Sequence, residues 1–79
     1  MKINILAFGI VKEIFGASSI EIELKDGNIH TLKNLLEEKF PRLKQLASYM
    51  VAVNNEYAND EHAVSAKDEI AIIPPVSGG

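Results

Sequence analysis

One long amphipathic segment stands between two groups of strand-like segments, and few folds accommodate that order in a chain of 79 residues. Leu32, Leu35, Leu36 and Phe40 recur at helical spacing, with Lys33, Glu37, Glu38 and Lys39 on the opposite, solvated face. Thr31 is placed to cap this helix. Pro41 ends it, because proline disfavours helical geometry at the residue before it. Leu43 and Leu46 extend a second helical turn beyond the proline. A single apolar helix stripe must be covered, and a sheet assembled from strands on both sides of it is the economical cover. The expectation is an α+β fold, one mixed sheet with the long helix packed on a face.

The strands are read from alternation. Ile3, Ile5 and Ala7 alternate with Asn4, Leu6 and Phe8; both faces become apolar from Leu6 onward, which suits a central strand covered on both sides. Ile10, Val11, Ile14 and Phe15 then predict a short helix stopped by Gly16. Ile20, Ile22 and Leu24 alternate with Glu21, Glu23 and Lys25 in a strand with one wet face, and Asp26-Gly27-Asn28 is a turn. After the long helix, Val51 and Val53 mark a strand, Asn54-Asn55 a turn and Tyr57-Ala58 a brief return. Residues 59–66 read as polar and irregular. Glu69 to Ile73 is the last strand, closed by Pro74-Pro75, which offer no N–H to a ladder.

Size and charge narrow the function. A domain this small buries only about 60–65% of the surface its unfolded chain exposes, which leaves little room for an enclosed active site and favours a binding module, carrier or subunit over a self-sufficient enzyme. With eight Lys and Arg against eleven Asp and Glu, the net charge is -3. Nucleic-acid binding, which needs a basic stripe, is not expected; a basic protein partner is. There is no cysteine, so disulfides, thiolate nucleophiles and Cys-based metal sites are absent. No apolar run reaches the roughly 20 residues of a membrane helix, and Met1 to Ile5 does not resemble a signal peptide. The reading is a cytoplasmic protein with no membrane partner. His30 and His62 have no second ligand at metal spacing and read as solvated loop residues; Glu56, Asp60 and Glu61 read as solubility charges that also steer partners.

The chain ends Pro74-Pro75-Val76-Ser77-Gly78-Gly79. The prolines stiffen the exit and the glycines make the tip slim. Fully extended, such a segment spans about 20 Å, at roughly 3.3–3.6 Å per residue, enough to thread into a neighbour's active site. A terminal Gly79 places no side chain beside its carboxylate, which is ionised at neutral pH with a reference pKa of about 3.3–3.7. That carboxylate becomes reactive when an activating enzyme directs it at the α-phosphate of ATP. Sulfide or a persulfide can then displace AMP and leave a thiocarboxylate, a stronger nucleophile. In such a scheme Gly79 carries the reaction, Gly78 gives clearance, and Ser77, Val76, Pro75 and Pro74 line the path. The residues alone leave open a frayed end without a task. They likewise leave Phe8 and Ile73 open between the core and an exposed docking patch.

The run Asp68-Glu69-Ile70-Ala71-Ile72-Ile73-Pro74-Pro75-Val76-Ser77-Gly78-Gly79 resembles the end of the molybdopterin synthase small subunit, a sulfur carrier with the ubiquitin-like β-grasp fold. Val51-Ala52-Val53-Asn54 resembles that family's central strand, and Ala7-Phe8 with Glu13 its first strand and helix; length and element order agree along the chain. Lys12 stands where the family often has Arg, Lys67 where it often has Gly, and the link from Asp26-Gly27 to Thr31 is longer than usual. The resemblance implies a β-grasp domain over residues 1–73 and a flexible tail over 74–79. It implies partner contacts at Gly78, Ser77, Val76, Pro75, Pro74, Ile73 and Phe8. It further implies a cycle. An adenylating enzyme related to ubiquitin-activating enzymes would activate Gly79 with ATP and Mg²⁺, and a sulfur donor protein would form the thiocarboxylate. The large synthase subunit, in a complex of two small and two large subunits, would accept the tail and pass the sulfur to a pyranopterin precursor. The chain itself would bind no cofactor and would catalyse nothing alone. A thiamine-pathway sulfur carrier and a ubiquitin-like protein modifier share the same terminal chemistry and stand as alternatives, as does a plain β-grasp interaction domain with an idle tail.

Overall fold

A computed structural model of the chain describes residues 1–46 and 48–75. Its elements run β1 (Lys2–Ala7), α1 (Ile10–Phe15), β2 (Ser19–Glu23), α2 (Ile29–Lys39), a short 3-10 helix (Pro41–Gln45), β3 (Met50–Val53), β4 (Glu56–Tyr57) and β5 (Ile70–Ile73). The strands form one sheet in the order β2-β1-β5-β3-β4. β1 pairs antiparallel with β2 and parallel with β5, and β3 pairs antiparallel with both β5 and β4. This is the β-grasp: a mixed five-stranded sheet holding one main helix, with a smaller helix beside it.

The core lies between one sheet face and α2. Ile3, Ile5 and Ala7 of β1, Ile70 and Ile72 of β5, and Val51 and Val53 of β3 all point into it, as the period of two requires. They meet Ile29, Leu32 and Leu36 of α2, with Val11 and Phe15 of α1 and Leu43 of the 3-10 helix closing the side. Phe15 and Phe40 stack at a tilt with centroids 4.6 Å apart. Gly16 adopts φ +76° and its N–H closes α1 on the Lys12 carbonyl at 2.8 Å, the left-handed stop expected of a C-terminal glycine.

The opposite sheet face is open. β1 is indeed an interior strand, but its second face is not covered by the described residues: Leu6 is half-buried and Phe8 exposed. The apolar second face expected to lie under another layer is instead presented to solvent.

The start of α2 also differs from expectation. Its cap is Asn28, whose Oδ1 accepts from the Thr31 N–H at 3.0 Å and from the Thr31 hydroxyl at 3.1 Å. Thr31 lies one turn inside, and the helix begins directly after the Asp26-Gly27 turn. The remaining free N–H groups are taken by the 59–62 loop: Ile29 donates to the His62 carbonyl and His30 to the Asp60 carbonyl, each at 3.0 Å. Residues 59–66 are therefore not merely polar filler. They cover the helix end, and Val64 is buried beneath them. His30 sits in the first turn of α2, not in a loop.

The turn that links β3 to β4 is held by Asn54 and Asn55, with φ +53° and +70°. Two consecutive left-handed residues give the hairpin turn whose twist matches its strands. Asn54 is further bolted to the head of β5: its Oδ1 accepts from the Glu69 N–H at 3.0 Å and its Nδ2 donates to Asp68 at 3.0 Å. Asn54→Ala should cost about 2 kcal/mol, from left-handed strain plus two lost hydrogen bonds. Urea denaturation with an unchanged m-value would verify it. Among the described residues no helix is long and apolar enough to cross a membrane.

Candidate functional site

The open sheet face is divided in two. Around β2 and the start of β1 it carries Lys2, Asn4, Ser19, Glu21 and Glu23, placed opposite one another by the antiparallel register. Towards β5 and β3 it turns apolar. Leu6 lies in register with Ala71, and Ala71 with Ala52, so three small or aliphatic side chains form a low floor across three strands. Phe8, Ile73 and Tyr57 stand around that floor with Asn55 and Glu69, enclosing a groove of about 290 Å³. Phe8 is 48% exposed and Tyr57 65%, so the groove walls are available to a partner. Met50, in register with Ile73, extends the same apolar area and is 47% exposed.

The tail leaves from this face. Because β5 runs parallel to β1, with Ile72 opposite Ala7, both strands end at the same side of the molecule. The chain therefore departs from Ile73 beside Phe8 and Gly9. Gly9 has φ +56°, and a Cβ there would lie 3.0 Å from Pro74 Cγ. The absent side chain lets Pro74 close on the β1–α1 corner, while Pro75 is exposed beyond it. Gly9→Ala should cost about 2–3 kcal/mol, combining forbidden backbone geometry with the contact on Pro74. Gly16→Ala, whose Cβ meets nothing within 4 Å, should cost about 1 kcal/mol from left-handed strain alone. Parallel thermal melts of the two variants measure the difference.

Of the site residues expected from the sequence, Phe8 and Ile73 line the groove, Pro74 lies against Gly9, and Pro75 is exposed. Val76, Ser77, Gly78 and Gly79 lie outside the described residues. The alternation of β5 places Ala71 on the face of Ile73 and so carried a signal for the groove floor; Leu6, Ala52, Met50 and Tyr57 became site residues only once the strand order was known.

A second concavity, about 300 Å³, lies on the helix side between α2 and the segment after it, lined by Lys33, Glu37, Leu43, Lys44, Leu46, Ser48 and Tyr49. Glu37 is not simply solvated: it is half-buried and accepts from the Tyr49 hydroxyl. Burial, and then the Glu37 carboxylate, raise the Tyr49 pKa above the ordinary phenol range. Lys33 sits 5.5 Å from the Tyr49 ring centroid and 3.0 Å from Asp60. Its hydrogen bond is the main cause holding the Asp60 carboxyl below its usual range. These groups fasten loop and helix together, so Asp60 has a structural task beyond solubility. Among the described residues, no three His, Cys, Asp or Glu side chains gather as a metal site, and no polar or charged residue is buried. The described surface thus carries an open apolar groove beside the point where β5 ends.

A model of the ThiS family matches residues 5–79. The chain belongs to the ThiS family. Two full-length relatives are each a molybdopterin synthase sulfur carrier subunit. The protein from Arabidopsis thaliana is 37% identical over 83 residues, covering 100% of this chain and 84% of that protein. The one from Dictyostelium discoideum is 39% identical over 83 residues, covering 99% and 96%. Among solved structures, small archaeal modifier protein 1 of Haloferax volcanii superposes with a TM-score of 0.84 at 25% identity, over 100% of both chains. The chain also matches one chain in a complex of subunits 1 and 2 of the molybdopterin-converting factor from Helicobacter pylori, at TM-score 0.71 and 25% identity over 100% of this chain and of that one. In this ThiS-family chain, the β-grasp body expected from the resemblance is thus the observed one.

Proposed function

We propose that this chain is the sulfur carrier of molybdopterin synthesis, working through the carboxylate of a C-terminal Gly79. The observation that carries the reading is the full-length similarity to molybdopterin synthase sulfur carrier subunits. The parallel β1/β5 pairing supports it, because it ends β5, and so starts the C-terminal segment, at the edge of an apolar face. The adenylating enzyme binds ATP and Mg²⁺, and a Gly79 carboxylate oxygen attacks the α-phosphorus with loss of pyrophosphate. A persulfide sulfur of the donor protein then adds to the acyl carbon and AMP leaves; a thiol of the donor attacks the resulting acyl disulfide, taking up the donor sulfur in a new disulfide and releasing the thiocarboxylate. The large synthase subunit, in a two-plus-two complex, seats the groove around Phe8, Ala71 and Ile73 and receives the tail through Pro74, Pro75, Val76, Ser77 and Gly78. There the thiocarboxylate sulfur attacks the precursor, and hydrolysis of the acyl link leaves sulfur on the pterin and the carboxylate restored.

The test is single-turnover transfer. The chain is prepared with a C-terminal thiocarboxylate by thioester cleavage with sulfide, then mixed with the large subunit and the cyclic pyranopterin precursor. Formation of the dithiolene product, stoichiometric in carrier and absent with the carboxylate form, is the expected result. No product from the thiocarboxylate, with a large subunit active on another carrier, contradicts the reading.

A second reading has a specific observation in its favour: the 25% identity and TM-score of 0.84 to small archaeal modifier protein 1. A modifier would use the same adenylate but acylate a lysine amine. Isopeptide-linked conjugates of the tagged chain in cells, lost on removal of Gly79, would favour it over the carrier.

A further inference from the structure

We infer that Met50 is an oxidation site through which peroxide disables docking of this carrier. The inference rests on the proposed docking face and adds to it a reversible control. The chain has no cysteine and two methionines. Met1 is partly buried, its side chain packed against the core and its amino group bonded to the Leu24 carbonyl at 2.9 Å. Met50 is 47% exposed. Met50 is thus the more exposed of the two methionines, with no thiol in the chain to intercept an oxidant first.

Its position gives the modification a consequence. β3 and β5 pair as Met50↔Ile73, Val51↔Ile72 and Ala52↔Ala71. Val51 and Ile72 face the core, so Met50 and Ile73 share the outer face with Ala52 and Ala71 of the groove floor. Ile73 is the last strand residue before the tail. Oxidation here alters the apolar area beside the point where the tail leaves and spares the core. The step is a two-electron oxidation: hydrogen peroxide transfers one oxygen to the thioether sulfur, its O–O bond breaks, and the second oxygen leaves as water. The product replaces an apolar, deformable side chain by a sulfoxide dipole. Seating that dipole against an apolar partner leaves it desolvated without a hydrogen-bond donor, and affinity should fall by about tenfold or more.

The experiment treats the folded chain with dilute hydrogen peroxide and follows both methionines by peptide mass spectrometry. Binding to the large synthase subunit is then titrated by calorimetry before oxidation, after it, and after repair with methionine sulfoxide reductases. Met50→Leu is carried through the same steps and compared with its own untreated value. The inference expects Met50 to oxidise well ahead of Met1, at least about tenfold weaker binding afterwards, recovery on repair, and no effect of peroxide on Met50→Leu. Oxidation of Met1 as fast as Met50, or unchanged affinity of the oxidised chain, overturns it while the untreated chain's binding keeps the docking reading intact. A losing response in Met50→Leu as large as in the parent chain places the effect elsewhere and overturns it too. Failure of the untreated chain to bind at all overturns the docking reading and the inference with it.

Discussion

Removing Gly79 should abolish sulfur loading while leaving the fold unchanged. The truncated chain still ends in a glycine carboxylate, so the chemistry of the end group is preserved and only its reach changes. One extended residue spans roughly 3.3–3.6 Å, and in-line attack on a phosphorus atom requires the nucleophile at about 3–3.5 Å in correct alignment. A carboxylate held a whole residue short cannot meet both conditions while Phe8 and Ile73 remain seated. Adenylation should fall by at least about a hundredfold, since a misplacement of about 1 Å can already cost that much. The core elements end at Ile73, with β5 locked between β1 and β3, so the melting temperature should be unmoved. Pyrophosphate release by the activating enzyme measures the first part and a thermal melt the second. A truncated chain that loads normally would show that the terminus is not read by position.

Phe8→Asp should separate docking from folding. Phe8 is 48% exposed beside the groove, and its side chain is not part of the buried core. Changing it should therefore alter stability by less than about 1 kcal/mol. In the complex the same residue would be a buried aromatic anchor, and aspartate there would bring an unpaired charge under an apolar partner. Removing an anchor and desolvating a carboxylate together should cost about 3 kcal/mol or more, on the order of a hundredfold in affinity. Calorimetric titration against the large subunit gives the answer. Unchanged binding would move the interface off this face and leave the groove without a role.

What could be read from the sequence was what local rules decide. The alternation Ile3-Ile5-Ala7 encodes one buried face, and the spacing Ile10-Val11-Ile14-Phe15 encodes a helix that buries Val11 and Phe15 while Ile10 stays exposed; both elements stand where that patterning puts them. Gly16 and the Asn54-Asn55 pair are legible because only a few residue types tolerate positive φ. Legibility failed where a residue's environment comes from far along the chain. Asn28 reads as part of a turn and Thr31 as the cap, because both residue types cap well and only the docked 59–62 loop fixes the register. Val64 looks like a stray apolar residue in a polar stretch until that loop covers it. Glu37 looks solvated until Tyr49 arrives to donate to it. Leu6 and Phe8 pose the ambiguity that matters most for function, since an apolar second face on a strand predicts a covering layer without saying whether this chain supplies it.

The site divides the same way. Pro74, Pro75 and the glycines after them announce themselves in order along the chain, because a stiff exit and a slim tip are local properties. The groove could not announce itself. Its floor is Leu6, Ala71 and Ala52, three unremarkable residues that become neighbours only through the order β1-β5-β3.

The most direct test of the carrier assignment is the intact mass of the chain after incubation with ATP, Mg²⁺, the activating enzyme of the same organism and a sulfide source, with the Gly79-deleted chain alongside. Oxidation adds nearly the same mass as exchange of oxygen for sulfur, so the deleted chain sets the background for any Met50 sulfoxide. The carrier account predicts a gain equal to the mass of sulfur minus that of oxygen, confined to the full-length chain and to its C-terminal peptide. An unchanged mass, with an activating enzyme competent on another carrier, would contradict it and leave a β-grasp interaction domain whose tail takes no part.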